Sequence, residues 1–160
     1  MSGLDRFTIA QDRTGVGFDA ALAEMQAGRK RGHWIWYVFP QLAGLGMSSA
    51  SRTYAIRDVA EAKAYLCDAL LCSRLAIIMT AVAEQMSRGT PLEVLMGSSI
   101  DAQKLVSSLT LFGHVARDLY AAEGLETCQA LATLSDRVLD AAEGQGFPPC
   151  RFTRAQLANQ

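Results

Sequence analysis

With two histidines, four cysteines and no Cys-x-x-Cys pair in 160 residues, the chain has little from which to build a metal centre. A tetrahedral site needs four nitrogen or sulfur ligands at recognisable spacings, so no metal ligand is assigned. Cys67, Cys72, Cys128 and Cys150 are scattered, and the one close pair, Cys67 and Cys72, is turned about 140° apart on a helix. Buried free thiols in a reducing cytosol are the expected state. Charge of one sign is also lacking: 15 Lys plus Arg against 16 Asp plus Glu give a net charge of -1. That excludes a global basic field for nucleic acid or anionic lipid and leaves room only for a local patch. The first residues carry no apolar signal segment, and the uninterrupted apolar runs are too short to span a membrane, so a cytoplasmic location is expected. Gly-x-Ser-x-Gly, Walker and HExxH patterns are missing. Gly44-Leu45-Gly46 has neither a third glycine nor a preceding strand, so it reads as a turn.

What is present is a globular composition, 50% hydrophobic and 19% charged. At this length about two-thirds of the unfolded surface can be buried without staples. Repeats and low-complexity linkers are absent, so residues 1–160 are expected to form a single domain. Phe18, Ala21, Leu22 and Met25 predict a helix over about 15–28, stopped by Gly28. Asp58 and Glu61 form a capping-box pattern for a helix ending near Asp68. Leu71, Leu75, Ile78, Val82 and Met86 mark a central apolar helix ended by Gly89. Thr90-Pro91-Leu92-Glu93 predicts a Thr cap with Pro in the first turn of a short helix to Met96. Leu105, Leu109, Phe112 and Ala116 predict a helix from near Asp101 to Ala122 with a break at Gly113, and Leu131, Leu134, Val138 and Ala142 a last long one. The expected fold is all-α, a single compact domain of about six to eight helices with an irregular tail from about 145. Only Trp34–Phe39, rich in aromatic and β-branched residues, leaves helix and strand open.

The same segment carries the main site candidate. Arg29, Lys30, Arg31 and His33 lead directly into Trp34, Trp36, Tyr37 and Phe39, followed by Gln41. Cations supply charge-assisted hydrogen bonds and aromatic faces stack on planar groups, a combination suited to anions or nucleobases. The plainer reading is a helix C-terminus stabilised by cations, followed by an aromatic core segment. Farther on, Asp101, Lys104, Ser107 and Ser108 share one side of a helix. A Ser–Lys nucleophile would need a Lys of lowered pKa, which Asp101 opposes. An anion-binding wall, or serines bonding back to helix carbonyls, are the alternatives. Arg6, Gln11, Glu61 and Arg74 read singly as caps or paired charges. The binding set is therefore Lys30, His33, Trp34, Trp36, Gln41, Lys104 and Ser108, facing a small anionic, nucleotide-like ligand. The competing reading is a non-enzymatic helical interaction module whose basic loop docks an acidic partner. No reaction, cofactor or oligomeric state is assigned.

Arg6-Phe7, Ala10-Gln11, the run Gly28 to Gln41 with its His33-Trp34-x-Trp36-x-x-Phe39-Pro40-Gln41 core, Glu61-Ala62-Lys63-Ala64-Tyr65-Leu66, Asp101, Lys104-Leu105 and Thr110-Leu111-Phe112 together resemble the bacterial family called domain of unknown function 1810. Pro149-Cys150 and Thr153 echo its C-terminal end. The resemblance implies a small, mainly helical domain and brings no activity, cofactor or catalytic residue. The label calpastatin carried by some members conflicts with this globular composition, since that inhibitor is a disordered repeat protein. Where the family has His-Pro, this chain reads Asp68-Ala69. Since neither metal nor disulfide is needed for folding, EDTA and reductant should each leave the melting temperature unchanged; a drop of several degrees with either would overturn the cysteine assignment.

Overall fold

A computed structural model describes residues 3–160, and among them it contains ten helices and no strand. They are α1 (Asp5–Gln11), α2 (Phe18–Ala27), α3 (Ile35–Val38), α4 (Ser49–Thr53), α5 (Val59–Cys67), α6 (Ala69–Ser87), α7 (Leu92–Met96), α8 (Ser99–Glu123), α9 (Glu126–Gly144) and α10 (Arg151–Ala158). The all-α class holds, while the count exceeds six to eight because α1, α3, α4 and α10 are short. The tail is also corrected. Only the stretch around Pro148 and Pro149 is irregular, and α10 follows, burying Thr153 and Leu157 one turn apart. Trp34–Phe39 contains the one-turn helix α3. Its aromatics favour a strand, yet the only β pairing among the described residues is an isolated parallel bridge between Leu42 and Ile56.

Side-chain caps fix several starts. Asp58, Asp68 and Ser98 accept from the backbone N–H of Glu61, Leu71 and Asp101 respectively. The capping box at Asp58 is half of what the sequence predicts, because the Glu61 carboxylate turns away to accept from Arg57 N–H and to pair with Arg6 at 2.6 Å. Burial alone would push the Glu61 carboxyl up, but Arg6 and Arg57 outweigh that and hold it below its usual range. At α7 the expected Thr cap is replaced. Pro91 is the N-cap, Thr90 donates instead to Gln85, and the Leu92 N–H is taken by the side chain of Gln145 at 2.7 Å.

The core is organised by α8, buried on nearly every side from Ala102 to Ala116. It lies along α9 and also meets α5, α7, α10 and α3, while α2 packs on α6. No break occurs at Gly113. A Cβ there would stand 2.9 Å from the Ser135 Cβ, so the glycine is what lets α8 and α9 approach. Of the predicted core positions, Leu71, Leu75, Ile78, Val82, Leu105, Leu109, Phe112, Leu131 and Val138 are buried, and Leu134 is half-buried. By length and mean hydropathy (1.4) α6 could cross a membrane, contrary to what uninterrupted apolar runs suggest. It carries Arg74 and Glu84, is half buried, and serves as a core helix against α2, α5 and α9.

The cysteines are all free, but only Cys72 and Cys128 are buried; Cys67 is exposed and Cys150 half-buried. Nor are they all scattered. Burial raises the Cys72 and Cys128 thiols, and Cys67 lies near enough to both to add to the effect. Leu75→Ala and Leu109→Ala should each cost about 2 to 5 kcal/mol in urea denaturation. Gly113→Ala should cost about 1 to 3 kcal/mol through overpacking against Ser135. Values under about 0.5 kcal/mol for all three would refute this core assignment.

Candidate functional site

Gly28, at φ 89°, ends α2 in the left-handed conformation and sends the chain into an arm that reaches Trp34. Lys30 pins this arm twice. Its backbone N–H donates to Leu95 O at 2.7 Å, and its ammonium meets Asp101 Oδ2 at 2.7 Å and Gly32 O at 2.5 Å. The approach is close: a Cβ on Gly97, at φ 81°, would lie 3.0 Å from Lys30 O. Lys30 is buried and stands 5.1 Å from the centre of the Trp34 ring.

The arm also closes on a carboxylate. Glu24 Oε1 accepts from Arg31 N at 2.5 Å, Gly32 N at 2.8 Å and Trp34 Nε1 at 3.1 Å. Burial would raise the Glu24 carboxyl, but these three donors and Lys30 hold it below its ordinary range. Lys30 is thus paired with Asp101, and Trp34 is sealed into the core with its indole N–H satisfied.

Lys104 is held differently. Its ammonium is 3.7 Å from Asp101 Oδ1, the same carboxylate that Lys30 engages at 2.7 Å, and it stands 4.9 Å from the Trp36 ring centre. Two ammonium groups therefore share Asp101, and Lys104 holds the weaker share. Beneath it is a small hollow among Trp36, Phe39, Gln41, Ser51 and Tyr54. Its volume is about 10 Å³, room for roughly one water-sized group. The Trp36 indole N–H is buried and finds no hydrogen-bond partner among the described residues.

Of the seven residues proposed from sequence, Trp36, Gln41 and Lys104 line this hollow. Lys30 and Trp34 lie beside it, joined through Asp101, with structural partners of their own. His33 is exposed and has no hydrogen bond or ion pair among the described residues. Ser108 is fully buried in α8, its hydroxyl unpartnered, and is not part of the lining. Ser107 donates to Gln103 O, so the serines do bond back to the helix where they bond at all, and no Ser–Lys hydrogen bond is formed. Arg6 with Glu61, and Arg74 with Asp12 and Gln11, pair among themselves. Ser51 and Tyr54 are lining residues that the sequence does not point to as site residues, since α4 has no apolar period to place it.

A family model described as "Protein of unknown function (DUF1810)" matches residues 1–131. The chain belongs to this family. Its C-terminal part is reached by a structural comparison instead: a structure described as the conserved hypothetical protein Rv1873 from Mycobacterium tuberculosis, solved at 1.38 Å, is similar with a TM-score of 0.78. The two are 36% identical, over 97% of this chain and 96% of the other. No curated protein matches the sequence. Neither description names an activity, so the chemistry of the site rests on its own geometry.

The two lysines should separate on mutation. Lys30→Met leaves Asp101 and Glu24 without their buried cation and should cost about 3 kcal/mol. Lys104→Met, which keeps the apolar stem over Trp36, should stay within about 0.5 kcal/mol of wild type. Equal losses in chemical denaturation would show that Lys104 is as structural as Lys30.

Proposed function

We propose that the chain binds a small anionic molecule through the hollow beneath Lys104. The observation that carries this reading is the pairing of an incompletely neutralised ammonium with an unpartnered, buried indole N–H at one aromatic-lined opening. An anionic oxygen entering the hollow would receive a hydrogen bond from Trp36 Nε1 and charge from Lys104, with the Gln41 amide in the lining as a further donor. The space admits a carboxylate or phosphate oxygen, and the remainder of the molecule would lie across the outer face of Trp36 and the opening. A nucleotide is one form of such a ligand: its phosphate oxygen supplies the anion and its base a planar group for an aromatic face. Lys30 and Trp34 support the site from behind rather than touching the ligand. This is a binding role; no bond-making step is assigned to it.

The alternative of a helical interaction module draws less support. The large exposed apolar side chains are spread over several elements; Leu70 and Ile77 share α6 and Ile100 and Tyr120 share α8, which gives isolated pairs rather than a continuous apolar stripe. Thermal-shift titration with inorganic phosphate, acetate and nucleoside monophosphates tests the ligand reading. An anion present at 100 times its Kd should stabilise by about 2.7 kcal/mol, a rise of several degrees for a chain of this length. The rise should vanish in Lys104→Met and shrink in Trp36→Phe, which removes the N–H but keeps a ring. A rise of the same size in Lys104→Met, or no rise with any of these anions, would refute the assignment.

A further inference from the structure

A second opening lies where α8, α9 and α10 meet, and it shares no lining residue with the hollow beneath Lys104. Its volume is about 230 Å³. Leu109 of α8, Leu139 of α9, Leu157 of α10 and Pro149 make the apolar part of its lining. Leu109 and Leu157 are buried, and Leu139 and Pro149 are half-buried, so the opening is floored by side chains of the core.

Its charged part comes from the same three helices: Arg117 and His114 of α8, Asp136 of α9 and Arg154 of α10. These groups are unequally satisfied. Arg117 Nη2 donates to Asp136 Oδ1 at 2.7 Å, so the one carboxylate of the lining is already engaged. His114 Nε2 lies 3.3 Å from Oδ2 of Asp118, a residue outside the lining. The Arg154 guanidinium forms no hydrogen bond or ion pair among the described residues. Its own helix offers it no counter-charge, because α10 contains no acidic residue and places a like charge, Arg151, three residues away.

An unpaired guanidinium at a partly apolar opening is a receptor for a planar oxyanion, which its forked N–H donors can grip at two oxygens. Two features narrow the class. With His114 neutral, two guanidinium groups against one carboxylate leave a single positive charge in the lining, which a monoanion cancels and a dianion overshoots. The apolar lining sets the rest of the molecule: a cavity of about 150 Å³ holds a benzene ring, so about 230 Å³ has room for a ring of that size with a carboxylate attached.

The geometry points to a binding site for a compact apolar carboxylate, of the aryl or branched-alkyl kind, with its carboxylate on Arg154 and its apolar group against Leu109, Leu139 and Leu157. Arg117, held in place by Asp136, adds the N–H donors that the ion pair leaves over. The site uses neither Lys104 nor Trp36. It therefore stands or falls separately from the anion reading of the hollow.

Titration of the isotope-labelled chain with benzoate, followed through its backbone amide and indole N–H resonances, tests the assignment. Benzoate should shift the amides of Gly113, Arg154 and Leu157, and the Trp36 indole N–H reports the Lys104 hollow independently. Acetate lacks the apolar group, benzyl alcohol lacks the charge and phenyl phosphate carries a second one; each should bind here about tenfold more weakly than benzoate, or worse. Arg154→Gln should weaken benzoate by about tenfold at an unchanged melting temperature, since the side chain is exposed and unpaired. Lys104→Met should leave the shifts and the affinity at these amides as they are. No shift there with millimolar benzoate, equal affinity in Arg154→Gln, loss of binding in Lys104→Met, or any of the three control compounds binding as tightly would overturn the proposal.

Discussion

The buried ion pair between Lys30 and Asp101 holds together the two regions from which the candidate site is made. Asp101 lies in the first turn of α8, where a negative charge is favoured by the helix dipole and where Ser98 caps its backbone N–H. From there it reaches the arm between α2 and α3. With Lys30 fixed, the chain that follows has little freedom: Trp34 goes into the core, α3 makes its single turn, and Trp36 emerges beneath Lys104. Removing Asp101 would leave Lys30 a buried charge without its carboxylate, and removing Lys30 would leave Asp101 only the more distant Lys104 ammonium at 3.7 Å. Local geometry around the hollow thus depends on a contact between residues remote in sequence.

That dependence explains what could be read beforehand. The periodicities of α2, α5, α6, α8 and α9 survive in the structure because each long helix must bury one continuous face, and spacing records that demand directly. Short elements leave no such record: α4 is one turn of Ser, Ala, Arg and Thr, and α10 buries only two side chains. The aromatic run was ambiguous for another reason. Its residues favour strands where a partner strand exists, and here only Leu42 and Ile56 meet in a bridge. Within the site, Lys104 and Asp101 are three residues apart on one helix, so their proximity was legible. That Lys30 would claim the same carboxylate was not, because nothing local in the sequence encodes it. His33 and Ser108 lie outside the hollow, one exposed to solvent and the other buried in α8.

The segment between α3 and α5 borders two concave regions. Gln41, Ser51 and Tyr54 line the hollow, whereas Leu45 lines a separate groove together with Cys150. Its fold is set by close contacts: Gly44, at φ 101°, lies so near the Phe152 ring of α10 that a Cβ would approach it to 2.7 Å, and Gly46 abuts Ser51 in the same way. These glycines are where the turn in the sequence proves to be a packing surface. The C-terminal helix and the residues around the hollow are therefore seated on one another through a single loop.

Glu24 adds a competitive dimension to the basic arm. By gathering two backbone N–H groups and the Trp34 indole N–H on one oxygen, it occupies the place that a dissolved anion would otherwise take. Because it is tethered to the same chain, its effective concentration is on the order of millimolar or above whatever the solution contains. A free phosphate or carboxylate at ordinary concentrations must displace a ligand that never diffuses away. The arm that looks most receptive in the sequence thus has its donors already taken by a carboxylate of the same chain, whereas no carboxylate is among the residues that line the hollow.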